Sequence, residues 1–184
     1  MRVLILFFFA AIPAVAEIPA YLTEEHGCAV LMSGSVGSIP SDPKLEKFWH
    51  DSNVEIGEFL KRDLTAGGYR VVPLVIMPAQ AHSVRNLAAN VQMRNKCNRV
   101  LQLKHTLGED ANGKFFEFTL GLYRAVLIDP QPDPAKISTT TREEYSRAYR
   151  YPLTPESMKT FFTSKFAHAA FEDMKAKGVL EPLK

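Results

Sequence analysis

Asn53-Val-Glu-Ile-Gly-Glu-Phe-Leu-Lys-Arg-Asp-Leu-Thr-Ala-Gly-Gly-Tyr-Arg-Val-Val-Pro73 is the stretch whose reading decides the fold. Ile56, Phe59, Leu60 and Leu64 recur at helical spacing, while Glu55 and Lys61 fall off that stripe. Gly67 ends the helix and Gly68 lets the chain turn. Val71, Val72, Val75 and Ile76 are strand formers. Pro73 lies inside that strand and cannot donate a ladder hydrogen bond, so the strand is expected at an edge of its sheet.

Working backwards, the helix extends to Ser41-Asp42-Pro43, where Asp42 suits the cap and Pro43 the first helical position. Leu45, Phe48 and Trp49 continue its apolar face. Before it, Ser33-Gly-Ser-Val-Gly-Ser38 is expected to be a flexible loop, and Cys28-Ala-Val-Leu-Met32 a first strand buried on both faces. The opening differs in kind. Met1-Arg2 is positive, Val3 to Ile12 apolar, and Ala14-Val15-Ala16 gives a small-x-small cleavage pattern before Glu17. The apolar run falls short of the roughly 20 residues that span a bilayer as a helix, which disfavours an amino-terminal membrane anchor. Residues 1–16 are expected to be a secretory signal peptide and residues 17–184 a single domain. No Cys follows the small residues directly, so there is no lipobox. The expectation is a soluble periplasmic protein with no stable membrane insertion.

Working forwards, a second helix covers about Ala79 to Lys96, with Val84, Leu87, Ala88 and Val91 on its stripe. Arg99 to Leu107 is a third strand, and Asn112-Gly113 predicts a hairpin into a long fourth strand from Phe115 to Ile128. Asp129-Pro-Gln-Pro-Asp-Pro134 is a stiff extended crossing. A fifth strand lies within Thr140 to Tyr151, and Thr154-Pro155-Glu156 opens a last helix that runs to Gly178. The order is β-α-β-α-β-β-β-α: an α/β (α+β) fold with one mixed five-stranded sheet and three helices. Right-handed crossovers make the first three strands parallel. With the second strand at an edge, the sheet order becomes 2-1-3-4-5.

That order brings the two cysteines together. Cys28 opens the first strand and Cys97 precedes the third. Neighbouring strands stand about 4.8 Å apart, within the span of a disulfide. A pair of cysteines in an exported protein is most simply a disulfide.

Charge excludes some partners. Of 22 basic residues one is Arg2, leaving 21 against 20 acidic ones, with no long single-sign block. That balance gives no case for nucleic acid or an anionic membrane surface. The five histidines show no pairing at three or four residues, so no metal site and no cofactor is expected.

Residues 59–72 resemble the helix-to-strand signature of the TolB amino-terminal domain. That signature is an Asp-Leu pair, a small-Gly stop, an aromatic or apolar residue and then a strand. Asn98 to Lys104 with Asn112 to Leu120 is similar to that domain's strand–turn–strand, and Ala167 to Met174 to its final helix. The resemblance implies a periplasmic α/β module, standing alone without TolB's β-propeller, of a kind found in envelope proteins that bind other proteins. It implies no catalytic residue.

Two functional candidates follow from the residues. Tyr145, Tyr149 and Tyr151, interleaved with Arg147 and Arg150 and preceded by Arg142, have the composition of a protein interface. Against it stands an ordinary edge strand kept from aggregating by charge. The other is the loop of Ser33, Gly34, Ser35, Gly37 and Ser38, at the carboxyl end of a parallel strand, where anions bind or a serine can act as nucleophile. It matches neither a phosphate-binding glycine motif nor a hydrolase elbow. The expected function is therefore non-enzymatic binding of another envelope protein through a sheet edge or the Tyr/Arg segment. The alternative is a small-ligand-binding protein or hydrolase using the Gly/Ser loop.

Overall fold

The computed structural model describes residues 17–24, 28–37, 43–133 and 136–180. The signal-peptide expectation, Ser38 and Asp42 lie outside them. One five-stranded mixed sheet carries the order β2-β1-β3-β4-β5. Its strands are β1 Ala29–Gly34, β2 Val71–Ile76, β3 Arg99–Asp110, β4 Gly113–Leu127 and β5 Thr139–Pro152. β1 runs parallel to both β2 and β3, and β4 is antiparallel to β3 and β5. The expected fold class and strand order hold, and Pro73 indeed stands on an edge strand, opposite Leu31.

The helices are α1 Ala20–Thr23, α2 Pro43–Ala66, α3 Val84–Asn95, α4 Pro155–Thr160 and α5 Thr163–Ala176, and a 3-10 turn, Pro78–Ser83, precedes α3. Two of these correct the sequence reading. A one-turn helix, α1, precedes β1, where the sequence reading places no element. The single helix expected after Thr154 is two, because Phe161 and Phe162 take extended backbone angles between them. The expected cap does form: the Thr154 hydroxyl accepts the Ser157 N–H at 3.1 Å. The break follows from tertiary packing. Phe161 leaves the helix to stack on Phe118, with ring centroids 5.2 Å apart, and to meet the edge of the Phe116 ring.

Helices cover the sheet unequally. On one face α2 and α5 bury Leu31, Leu101, Leu103, Phe116, Phe118, Leu120 and Leu122. On the other, α3 covers Val30, Met32 and Ile76, beside Cys28 and Cys97. Beyond α3, that second face of β3, β4 and β5 carries Lys104, Glu117, Thr119 and Arg150, which suits water rather than a helix. Cys28 and Cys97 are joined, with Cα atoms 4.6 Å apart. The bridge ties the start of β1 to the start of its parallel neighbour and fits an oxidising, extracytoplasmic compartment. No helix among the described residues is long and apolar enough to cross a membrane.

Candidate functional site

The Gly/Ser segment after β1 is not a flexible connector. Ser33, Ser35 and Val36 are buried, and the chain threads between the ends of β2 and β3. The Ser35 N–H donates to Ile76 O at 2.8 Å, and Val36 O accepts the His105 N–H at 3.1 Å. This passage explains the glycines. At Gly34, with φ +85°, a Cβ would stand 2.5 Å from Ile76 O, and at Gly37, with φ +119°, 2.2 Å from His105 O. Glycine is needed there for backbone passage, whatever else the segment does.

Beneath the segment lies a polar cluster that sequence spacing does not reveal. Asn53, fully buried on α2, donates from Nδ2 to Gly34 O at 2.8 Å and lies 2.7 Å from His105 Nδ1. With the amide nitrogen as donor, that imidazole nitrogen accepts. The His105 ring stacks on Trp49, centroids 6.0 Å apart. Ser35 Oγ lies 3.0 Å from His50 Nδ1. No carboxylate of the described residues is bonded to His50, so the hydroxyl–imidazole pair has no third member to orient it.

The six Tyr/Arg residues divide between groups. Tyr145, Arg147, Tyr149 and Tyr151 share the helix-side face of β5, opposite Leu122, Leu120, Phe118 and Phe116. Tyr145 is buried, and its hydroxyl donates to Asp173 Oδ2 on α5 at 2.6 Å, while Arg147 donates to Asp173 Oδ1. Burial, then that hydrogen bond, raise the Tyr145 phenol above its ordinary value. The same hydrogen bond, with Arg147 and Lys177 beside it, lowers the Asp173 carboxyl. Burial also raises the Tyr151 phenol. Arg142 joins Arg99 and Arg124 around Glu144, at 3.4, 2.9 and 3.9 Å. Arg150 lies on the opposite face, 3.0 Å from Glu117 and with its guanidinium over the Phe115 ring.

What the structure adds is a cavity of about 290 Å³ beside β5, walled by Tyr149, Tyr151, Phe161, Phe162, Phe166 and Lys165. The break between α4 and α5 creates it by turning Phe161 inward and leaving Phe162 exposed at the rim. Tyr149 meets Phe166 edge-on at 4.9 Å, and Tyr151 stacks on Phe116 at 5.1 Å, so the walls are held in place by the core.

The cavity adjoins a free edge. Among the described residues no strand pairs with the outer side of β5. Leu153 donates to Lys114 O, and ladder groups recur every second residue. Tyr151, Tyr149 and Arg147 therefore direct their backbone groups at β4, while Arg150, Ala148 and Ser146 direct theirs outward. Pro152, at an outward position, loses no ladder bond.

Elsewhere among the described residues no site forms. Of the histidines, His168 stands with its side chain largely exposed, 3.5 Å from Asp63. No group of three or more His, Cys, Asp or Glu among the described residues is placed to hold a metal ion.

No protein-family model and no curated protein sequence matches the chain. Among solved structures, a lipoprotein from Neisseria meningitidis is similar at 11% identity and a TM-score of 0.38, over 80% of this chain and 96% of its own. A hypothetical protein from Chlamydia trachomatis is similar at 12% identity and a TM-score of 0.39, over 82% and 95%. The PelC dodecamer from Paraburkholderia phytofirmans aligns at 13% identity and a TM-score of 0.32, over 80% and 84%. None of these three is a TolB protein, and nothing about function follows from likeness at this level.

Proposed function

We propose that this is a non-enzymatic protein of the periplasm, exported by residues 1–16, that binds another cell-envelope protein by accepting an extended segment along β5. One observation carries the reading: the outer edge of the fourteen-residue β5, unpaired among the described residues, lies beside an aromatic cavity. In strand addition, main-chain hydrogen bonds supply affinity and side-chain pockets supply specificity, and this corner offers both. The other edge is less suited, because exposed Pro73 interrupts its row of donors. The TolB-like character of residues 59–72 agrees with an envelope module that works by binding.

Site-specific photocross-linking in cells tests it. A photoreactive amino acid placed at 148 or 162 is expected to trap the same envelope protein, and one placed at 73 to trap none. Identical adducts from all three positions, or none from 148 and 162, contradict the reading.

The second reading, a hydrolase, has one specific observation behind it, the 3.0 Å contact of Ser35 with His50. A fluorophosphonate probe decides it. Labelling that disappears in Ser35→Ala supports hydrolysis, and absence of labelling removes it.

A further inference from the structure

The corner where β5 meets α4 and α5 is chemically one-sided. Its cavity is walled by five aromatic rings, with Ser157, Thr160, Lys165 and Ala169 among them, so an apolar side chain entering it trades water for π-faces. Its rim is cationic. Lys165, one of its lining residues, lies 4.8 Å over the Phe162 ring and has no carboxylate partner among the described residues. Asp173, on α5, is already engaged by Tyr145, Arg147 and Lys177.

Strand geometry says which guest residues meet these features. A segment added to β5 places every second side chain on the face that carries Tyr145, Arg147, Tyr149 and Tyr151. A guest residue seated in the cavity therefore has its neighbours two positions away on the same face, on the side where Lys165 lines the cavity. We propose that the occupant is an extended acidic segment of a partner protein, with the pattern acid-x-apolar-x-acid. It adds to β5 as a sixth strand, seats its apolar side chain among Tyr149, Phe161 and Phe166, and sets a carboxylate against Lys165, the two acids of the pattern serving either strand direction. This rests on the strand-addition reading above and specifies its partner. A second copy of this chain is the poorer guest, because residues 145–151 of its own β5 carry no acid to set against Lys165.

The test uses a fluorescent heptapeptide, Thr-Glu-Thr-Leu-Thr-Glu-Thr, and fluorescence anisotropy. Two relatives carry Lys for both Glu, or Ala for Leu. The acidic peptide is expected to bind at least tenfold more tightly than either. Lys165→Glu is expected to narrow or reverse the preference between the acidic and basic peptides. Ala148→Pro removes an outward donor without touching the ladder to β4 and is expected to abolish binding. If that variant is unstable, the same peptide N-methylated at alternate residues, which cannot pair with an edge, replaces it and is expected not to bind.

Equal binding of acidic and basic peptides, lost together in Ala148→Pro, overturns the acidic partner and leaves strand addition standing. Binding that survives both Ala148→Pro and N-methylation overturns both. No saturable binding up to about 1 mM, the weak end of peptide affinities, overturns the inference, and the cross-linking experiment then decides strand addition separately. Self-association of the free protein that Ala148→Pro abolishes assigns the edge to a second copy instead and overturns the proposal.

Discussion

Asn53 donates to two buried acceptors, His105 Nδ1 and the Gly34 carbonyl, which also takes the Val36 N–H at 2.8 Å. A buried acceptor left without its donor costs about 1–3 kcal/mol. Asn53→Ala is therefore expected to lower stability by roughly 1–3 kcal/mol with an unchanged denaturant slope, measured by urea unfolding. The Tyr145–Asp173 hydrogen bond has a different signature, because its acceptor titrates. The Asp173 carboxyl is held below its unfolded value of about 4. Its contribution is fully present above that pH and is lost as pH falls through the lower folded value. Tyr145→Phe raises the folded value towards the ordinary one, so the variant should lose stability at pH 6 and show a shallower fall as pH drops below about 4. Unfolding curves across that range, with an NMR titration of Asp173, check both. An unmoved carboxyl titration would show that the hydrogen bond does not hold it down.

At the scale of elements, β5 is one strand with two unlike rows of backbone groups. Its inward row bonds β4, and its outward row bonds nothing described. Proline substitution separates them. Ala148→Pro should cost under about 1 kcal/mol, because the lost N–H points outward. Tyr149→Pro should cost about 3 kcal/mol or more, through a ladder bond and a ring packed on Phe166. Thermal unfolding of the pair is the check, and equal losses would contradict the assigned ladder. The α4–α5 break belongs to this scale too. Met158, Phe161, Phe162, Phe166, Ala169 and Ala170 follow one helical pattern in sequence, so the spacing alone predicts continuity. What overrides it is the demand of Phe116 and Phe118 for a stacking partner across the core. That demand is invisible along the chain, and so is the cavity it creates.

At the scale of the molecule, the topology was legible for reasons that can be named. Pro73 marked an edge, right-handed crossovers fixed direction, and the cysteines fell at the same end of strands that those two rules made neighbours. The functional corner was only half legible. Tyr149 and Arg147 were visible as interface-type residues. Phe162 and Lys165 were hidden inside an apparently ordinary amphipathic helix. The partnership of Asn53 with His105 joins residues 52 positions apart, which no local pattern registers. The disulfide spans 69 residues and should contribute about 4 kcal/mol by constraining the unfolded chain. Reduction, or Cys97→Ala, is expected to lower stability by that order in denaturant unfolding, and a loss below about 1 kcal/mol would contradict it.

Residue-resolved amide hydrogen exchange along β5 tests the central claim most directly. In the free protein the amides of Arg147, Tyr149 and Tyr151 should be protected, and those of Ser146, Ala148 and Arg150 should exchange freely. On binding the acidic heptapeptide or a cross-linked partner, the second set should gain protection as a group. Protection of Ser146, Ala148 and Arg150 already in the free protein, or no gain at any of them when the guest is bound, would contradict strand addition at this edge.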